Sequence, residues 1–393
     1  MTEIRVRGVA AGAPGAGTIW HYRDEGVMAV GVWTERLDGR GEDAEPLFAH
    51  RVPAAEGIVG VFDGLGGSGA GAACELRDGT RRSGAWVGAR LVRSGVLSWF
   101  LDAAARTTST DGTALSDGTA LSDGTALSDG TALSDGTALS DGEALSDREA
   151  REAAAAGAKP TEALRTRLVE VLADVPAPPR SKIVSRMRRW LPTTMAAAHY
   201  RLGGEQAECR VLWAGDSRAY ALSRGGGLQA LTRDHTDETD SLQQLVQDPP
   251  MTNVICADQE FTIAEHVLLL PLPCVLVCAT DGFFGYVETP AHFECHLLST
   301  LRAAADEREW AERLARQVSG YTGDDASLSL AALGYAGFAE LRESFAARSQ
   351  EMEARYPLVR AAEDGVDREW RARTWEDYRP GYERLMPATA EPG

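Results

Sequence analysis

The chain is short of what a membrane, a nucleic acid or an oxidising compartment would require. Its longest apolar run, residues 267–279, has 13 residues and contains Pro271 and Pro273, too few to span a bilayer at ~20 residues per helix. The first ten residues carry charges and lack an apolar h-region, so no secretory signal peptide is expected there. Bases are in deficit. The 40 Lys and Arg against 58 Asp and Glu leave a formal charge of −18, which repels nucleic-acid phosphates and anionic lipid. The six cysteines (Cys74, Cys209, Cys256, Cys274, Cys278 and Cys295) follow no disulfide-framework spacing and suit a reducing compartment. A cytoplasmic protein is expected, with neither nucleic-acid nor membrane partners.

What is present is an ordinary globular composition, 44% apolar and 25% charged over 393 residues, sufficient for a buried core. Length alone allows two or three domains. Residues 111–146 stand apart as five DGTALS hexads and one DGEALS. Glycine at every sixth position opposes a helix, and six hexads would make only about two coils of a left-handed β-helix. The segment 107–148 is therefore read as a low-complexity surface insert without fixed structure, ahead of a short β-helix or a repeat-mediated binding element. The hexads supply seven of the eighteen net negative charges.

Strand-like runs at 27–33 and 58–62 precede the insert, with a helix at 85–101 carrying Val87, Leu91, Val92 and Leu97 at helical spacing. A helix at 149–172 follows it, stopped by the prolines of 176–179. Residues 195–333 return to strands, interrupted by helices near 291–304 and 310–318. From Phe338 the chain is charged and helix-prone, and Trp370, Trp375, Tyr378 and Tyr382 are too many aromatics for a solvated helix. Strands interleaved with helix pairs predict an α+β sandwich rather than a doubly wound sheet, with the insert connecting two helices of one domain.

Four times an apolar strand leads into or out of an Asp-bearing turn: IVGVFDGLGG with Asp63, CRVLWAGDSRAYAL with Asp216, CVLVCATDGFFG with Asp281, and GYTGDDASLSLAAL with Asp324 and Asp325. Glu42 and Asp43, in GRGEDAE, form a fifth acidic element. A carboxylate at the edge of a core is costly to desolvate unless a cation compensates. Several converging together would make an oxygen-rich site suited to Mg²⁺ or Mn²⁺. Asp-Gly is also common turn chemistry; the ordered recurrence is what points to a site.

In this order the motifs resemble the metal-dependent type 2C (PPM-type) Ser/Thr protein phosphatases, bacterial branch. GEDA is similar to the family's Glu-Asp motif, VFDGLGG to its Asp-Gly-x-Gly-Gly loop and LPTTM to its Thr-Thr segment; GDSRAY, LTRDHT, ATDGF and DDASL follow, within residues 42–328. The resemblance implies two packed antiparallel β-sheets flanked by helix pairs, a four-layer αββα sandwich, over residues 1–337. A charged, aromatic-containing helical extension would occupy 338–393.

It also implies two Mg²⁺ or Mn²⁺ ions around a water that attacks a phosphomonoester. Carried over, Asp63 would bridge both ions. Gly64 would ligate one through its carbonyl, with Glu42 completing that shell and Asp43 in support. Asp281 and Asp324 would hold the other. Asp216 would serve a third, weaker ion, or merely cap its hairpin. Asp325 stands where the family usually has Asn, and Asp324 is preferred as ligand for its position before Ala326 and Ser327. Leu65 replaces a His that many members place after Asp-Gly, and leucine cannot transfer a proton. The family's phosphate-gripping Arg position falls on Asp38, flanked by Arg36 and Arg40; either could reach a phosphate or be a solvated loop residue. His235 matches a position near the start of the flap, where stabilising a turn competes with catalysis, and Asn253 lies on the way back to the core. Cys274 and Cys278 are read as core. His292, Cys295 and His296 lack a second ligand cluster for zinc.

The implied activity is Mg²⁺/Mn²⁺-dependent hydrolysis of phosphoserine and phosphothreonine on a phosphoprotein, opposing a Ser/Thr kinase. The alternative is a catalytically weak, phosphatase-like module that binds a phosphoprotein as a regulator. Deleting residues 111–146 is expected to preserve a cooperative melt and any turnover. Collapse of either in a thermal-melt and activity comparison would contradict the insert reading.

Overall fold

The computed structural model describes residues 4–7, 18–109, 159–177, 188–357 and 368–388. The hexads, and the first part of the helix expected at 149–172, lie outside them.

Two six-stranded antiparallel sheets form the centre. One runs β1 (Ile4–Arg7), β4 (Leu47–Arg51), β5 (Glu56–Gly64), β8 (Thr193–Gly203), β9 (Gln206–Ala214) and β12 (Ala264–Pro271). The other runs β11 (Gly227–Ala230), β10 (Arg218–Ser223), β13 (Cys274–Ala279), β14 (Ala326–Leu333), β3 (Val27–Thr34) and β2 (Thr18–Asp24). A small hairpin, β6 (Ala72–Glu75) and β7 (Arg81–Ser83), stands apart. The helices are α1 (Gly66–Gly69), α2 (Gly84–Ser109), α3 (Pro160–Ala173), α4 (Ser241–Gln247), α5 (Asp281–Phe284), α6 (Pro290–Ala303), α7 (Glu307–Val318), α8 (Phe338–Ser344), α9 (Ala346–Arg355) and α10 (Arg368–Tyr382).

The two-residue period of a strand distributes each central strand between two core layers. On β5, Ile58 and Phe62 face α2 and α3, joining Val92, Val96, Leu164 and Leu168. Val59 and Val61 face the opposite sheet, joining Leu276, Cys278 and Leu333. On β13, Val275 and Val277 pack with Phe293, Leu297 and Trp310 of α6 and α7, while Cys274 and Cys278 point between the sheets. Burial on both faces explains why these strands read as unbroken apolar runs instead of alternating ones. The expected four-layer αββα sandwich is the architecture observed. Trp20 lies across the backbone of Gly31, where a Cβ would sit 2.1 Å from the indole, so only glycine fits there.

Two buried hydroxyls tie the sheets together. Ser327 and Ser329 of β14 are fully buried and donate to the carbonyls of Ala44 at 3.1 Å and Leu47 at 2.7 Å, fastening β14 to the segment leading into β4. Helix α2 continues past the expected end at 101 to Ser109. Pro160 opens α3, where a missing N–H and fixed φ suit the first turn. β1, β2, β4 and the β6–β7 hairpin escaped the sequence pattern because they are short or flank polar residues. The tail packs back: Trp375, Tyr378 and Tyr382 are buried with Phe345 and Tyr356, and Trp370 sits beside His292 at 5.3 Å between ring centroids. Among the described residues no helix is long and apolar enough to cross a membrane.

Leu276 is fully buried between the sheets and Leu269 is 62% exposed on β12. Leu276→Ala is expected to lower unfolding free energy by about 2–5 kcal/mol and Leu269→Ala by less than about 0.5 kcal/mol. Urea denaturation of the two variants checks the difference.

Candidate metal centre

Antiparallel register collects the acidic turns at one end of the sandwich. Arg218, opening β10, pairs with Ala279, closing β13. Ala326, opening β14, pairs with Thr34, closing β3. In the other sheet Gly64, closing β5, pairs with Thr193, opening β8, and Met195 pairs with Ala214, closing β9. Asp63, Asp216, Asp281, Asp324, Asp325 and the loop bearing Glu42 and Asp43 therefore meet. Thr193 and Thr194 tie the turns together. The Thr193 hydroxyl donates to the Asp63 carbonyl at 2.5 Å, and Thr194 Oγ1 hydrogen-bonds Ser217 Oγ at 2.7 Å. Gly215, at φ +93° and with no room for a Cβ beside Thr194, lets the chain turn into Asp216.

The carboxyls are shifted by burial and by one another. Asp43, 2% exposed, is pushed up to about 7 by desolvation and then by the Asp325 charge, against the bond from Thr280 Oγ1 at 3.0 Å. Burial, followed by the charges of Asp43, Asp281 and Asp216, raises Asp63 well above the carboxylate range. Asp281 is raised likewise by burial and then by Asp216, Asp324 and Asp43. Asp216 reaches about 7 through burial and then the Asp234 charge, and its Oδ1 is buried without a hydrogen-bond partner. Burial also raises Glu42, opposed by a hydrogen bond from the Ser83 hydroxyl.

This donor set suits a hard divalent cation. It is all oxygen, it includes the orphaned Asp216 Oδ1, and it is cleared by glycines. A Cβ on Gly66 would fall 1.6 Å from Glu42 Oε2, and one on Gly64 would fall 2.5 Å from the Glu42 carbonyl oxygen. The acids are gathered but not closed. Among the described residues no group of three or more His, Cys, Asp or Glu side chains forms a cage able to hold a metal ion. His292, Cys295 and His296 form none either: His292 Nδ1 meets Thr289 Oγ1 at 2.9 Å, Cys295 Sγ donates to the Tyr356 carbonyl at 3.3 Å, and His296 stacks on Tyr321.

The adjacent aspartates divide their work. Asp325 accepts the backbone N–H of Arg36 at 2.8 Å on one oxygen and that of Glu42 at 2.6 Å on the other, so it anchors the acidic loop to β14. Asp324 accepts the N–H of Asp325 on Oδ1 at 2.8 Å, which leaves Oδ2 as the candidate cation ligand. Glu35 holds the same loop by accepting from Gly39 and Gly41. Arg36 and Arg40 both extend to solvent, and the Arg36 charge is the one that acts on Asp324 and on the Tyr286 hydroxyl.

Leu65 begins the turn after Asp63, its N–H donating to the Pro192 carbonyl at 3.3 Å. His235 is structural: its Nδ1 accepts the Gly215 N–H at 3.0 Å, its ring stacks on Trp213, and burial lowers its pKa. Asn253 brackets Thr262, accepting its N–H and donating to its carbonyl, both at 3.0 Å.

Three participants were not anticipated. Asp248, at the C-terminus of α4 with φ 44°, raises Asp216, Asp281 and Asp324 through its charge. Arg90 lies 3.9 Å above the Trp86 ring and donates toward the Glu42 carbonyl at 3.4 Å; burial pulls it down to about 10 although Glu45 and Asp43 oppose this. Tyr286 is 44% exposed and covers Gly323 beside Asp324. The four-residue spacing of Trp86 and Arg90 on α2 is the sequence signal for this cation–aromatic pair.

No family model matches the chain, and no curated protein matches it. Solved structures are similar in part. PppA of Pseudomonas aeruginosa, described as a key regulatory component of T6SS, is 18% identical at TM-score 0.42, covering 78% of this chain and 97% of its own. The serine/threonine phosphatase Stp1 from Staphylococcus aureus is 12% identical at TM-score 0.44, covering 79% and 96%. The Mycobacterium tuberculosis serine/threonine phosphatase PstP is 14% identical at TM-score 0.39, covering 79% and 99%. The functional reading below is carried by the residues of the acidic end.

Asp43 and Asp216, with folded values of about 7 against 3.8 for an ordinary Asp, retain protons in the fold that the unfolded chain releases. Metal-free stability is therefore lowest above pH 7 and climbs as pH falls through about 7 toward 3.8. Asp216→Asn should flatten this climb and raise the melting temperature under alkaline conditions. Thermal melts in EDTA check it; a melting temperature that instead falls on acidifying from about pH 8 to about pH 6 contradicts it.

Proposed function

We propose that this chain is a Mg²⁺- or Mn²⁺-dependent phosphomonoesterase acting on phosphoserine and phosphothreonine of a phosphoprotein, opposing a Ser/Thr kinase. The observation that carries the reading is the convergence of Asp43, Asp63, Asp216 and Asp281 at one strand-end site, where mainly other carboxylates surround each of them. An arrangement so self-repelling is stable at neutral pH when divalent cations occupy it.

Bound there, two such ions supply charge neutralisation and an activated water. Asp63, the Gly64 carbonyl and Glu42 would hold one, and Asp281 and Asp324 the other. The unpartnered Asp216 would serve a third, weaker site. Asp43, held by Thr280, would support Asp63, with which it interacts. Arg36, whose charge acts on Asp324, or Arg40, further along the same exposed loop, would meet the phosphate dianion. Leu65 supplies no proton, so the leaving alkoxide takes one from solvent, and substrates with acidic leaving groups are favoured.

The open arrangement of the acids, together with Leu65, favours a second reading, a phosphoprotein-binding regulator with little turnover. Hydrolysis of p-nitrophenyl phosphate and a phosphothreonine peptide with Mn²⁺, Mg²⁺ or EDTA separates the two. The expected result is metal-dependent turnover that Asp63→Asn or Asp281→Asn reduces by more than about 100-fold. No turnover by folded, Mn²⁺-loaded protein on either substrate leaves the regulator reading.

A further inference from the structure

A second polar network lies behind the acidic end, where α10 meets the segment 235–262 that connects β11 to β12. Asp240 is its pivot. One carboxylate oxygen caps α4, accepting the N–H groups of Leu242 and Gln243, both at 3.0 Å. The other accepts Trp375 Nε1 at 3.0 Å and Arg379 Nη1 at 2.8 Å, both from α10. Arg218, two residues beyond Asp216, is a second junction. Its guanidinium grips Asp234 through Nε at 2.9 Å and Nη2 at 2.6 Å, donates to Gln244 Oε1 of α4 at 2.9 Å and to the Tyr382 hydroxyl at 3.4 Å, and lies 4.4 Å from the ring of Phe284 in α5, the turn begun by Asp281.

Gln244 continues the network by donating to Thr236 Oγ1 at 3.1 Å and the Glu238 carbonyl at 2.7 Å. Its far end leads toward the acidic site: α4 has seven residues, a rod of about 10 Å, and terminates at Asp248, whose charge acts on Asp216, Asp281 and Asp324. Nothing in a phosphate-cleaving end of a sandwich requires an additional helix in this place, yet Trp375 and Tyr382 are 4% and 1% exposed and each spends its polar atom on this network.

We propose that α10 is a clamp that positions the segment 235–262 beside the acidic end, with Trp375, Arg379 and Tyr382 acting as positioning residues through Asp240 and Arg218. Its consequence for substrate rests on the phosphatase reading, because a positioned flap matters to a phosphopeptide that spreads beyond the phosphate and much less to a small aryl phosphate.

The test uses the full chain carrying Arg379→Ala, alone and with Trp375→Phe, and separately Tyr382→Phe. Arg379 is exposed, so its substitution leaves the core intact. Hydrogen exchange of amides in 241–262 is expected to accelerate about tenfold in the double variant while amides of β5 and β13 keep their rates, and Arg379→Lys should recover most of the protection. The ratio of kcat/KM for a phosphothreonine peptide to that for p-nitrophenyl phosphate should fall about fivefold, through KM rather than kcat. Unchanged flap exchange in the folded double variant overturns the clamp, as does acceleration spread equally over the whole molecule. Absence of metal-dependent turnover in the parent protein would count against the phosphatase reading alone, since hydrogen exchange decides the clamp independently.

Discussion

Like charges packed at the end of a hydrophobic sandwich are the constraint around which this molecule is organised. Desolvation raises every one of Asp43, Asp63, Asp216 and Asp281, and the charges of Asp43, Asp281 and Asp216 raise Asp63 further. A fold tolerates such a cluster only if the surrounding framework is stiff enough to resist its repulsion. The framework here has hydroxyls that donate to the carboxylates of Glu42 and Asp43, glycines that leave space for Glu42 and for the turn into Asp216, and Asp325, which spends both oxygens on backbone N–H groups to keep the loop closed. Stability and function pull in opposite directions at this end, as they do where binding sites are built from groups that repel until their ligand arrives.

The two sheets share this load unequally. The sheet containing β5, β8 and β9 contributes Asp63, Thr193, which donates to the Asp63 carbonyl, and Thr194, which reaches across to the Asp216 turn. The sheet containing β3, β10, β13 and β14 contributes the remaining strand ends, and the serines of β14 fasten the two layers near the site. Arg90, stacked on Trp86 and directed at the Glu42 carbonyl, brings a positive charge behind the cluster without occupying it.

Much of this is legible in the sequence, and the reason is geometric. Apolar strands buried on both faces produce unmistakable runs, and an Asp at the end of each run marks one end of the sheet, so the pattern of residues alone groups Asp63, Asp216, Asp281 and Asp324. The division between Asp324 and Asp325 is not fully legible, because it depends on which backbone N–H groups the loop from Glu35 to Glu42 presents. Asp248 and Arg90 carry no such mark, because their importance comes from charges remote in sequence. The aromatics of the tail foretell burial. They do not foretell its target, since Asp240 and Arg218 show no local sign of waiting for a partner 135 or 164 residues away.

The alternation on β5 has a consequence for how errors are detected. Ile58 and Phe62 serve one core layer, Val59 and Val61 the other, and Asp63 is the next residue along the same strand. A slip of one residue against β4 or β8 would exchange the two faces of the strand, opening voids in both layers and turning Asp63 away from the other acids in the same motion. A misaligned chain is thus never a well-packed but inert protein. It is a loosely packed one, exposed to proteolysis, so the machinery that removes poorly folded chains also removes those whose acidic end is scattered, without having to sense that end at all.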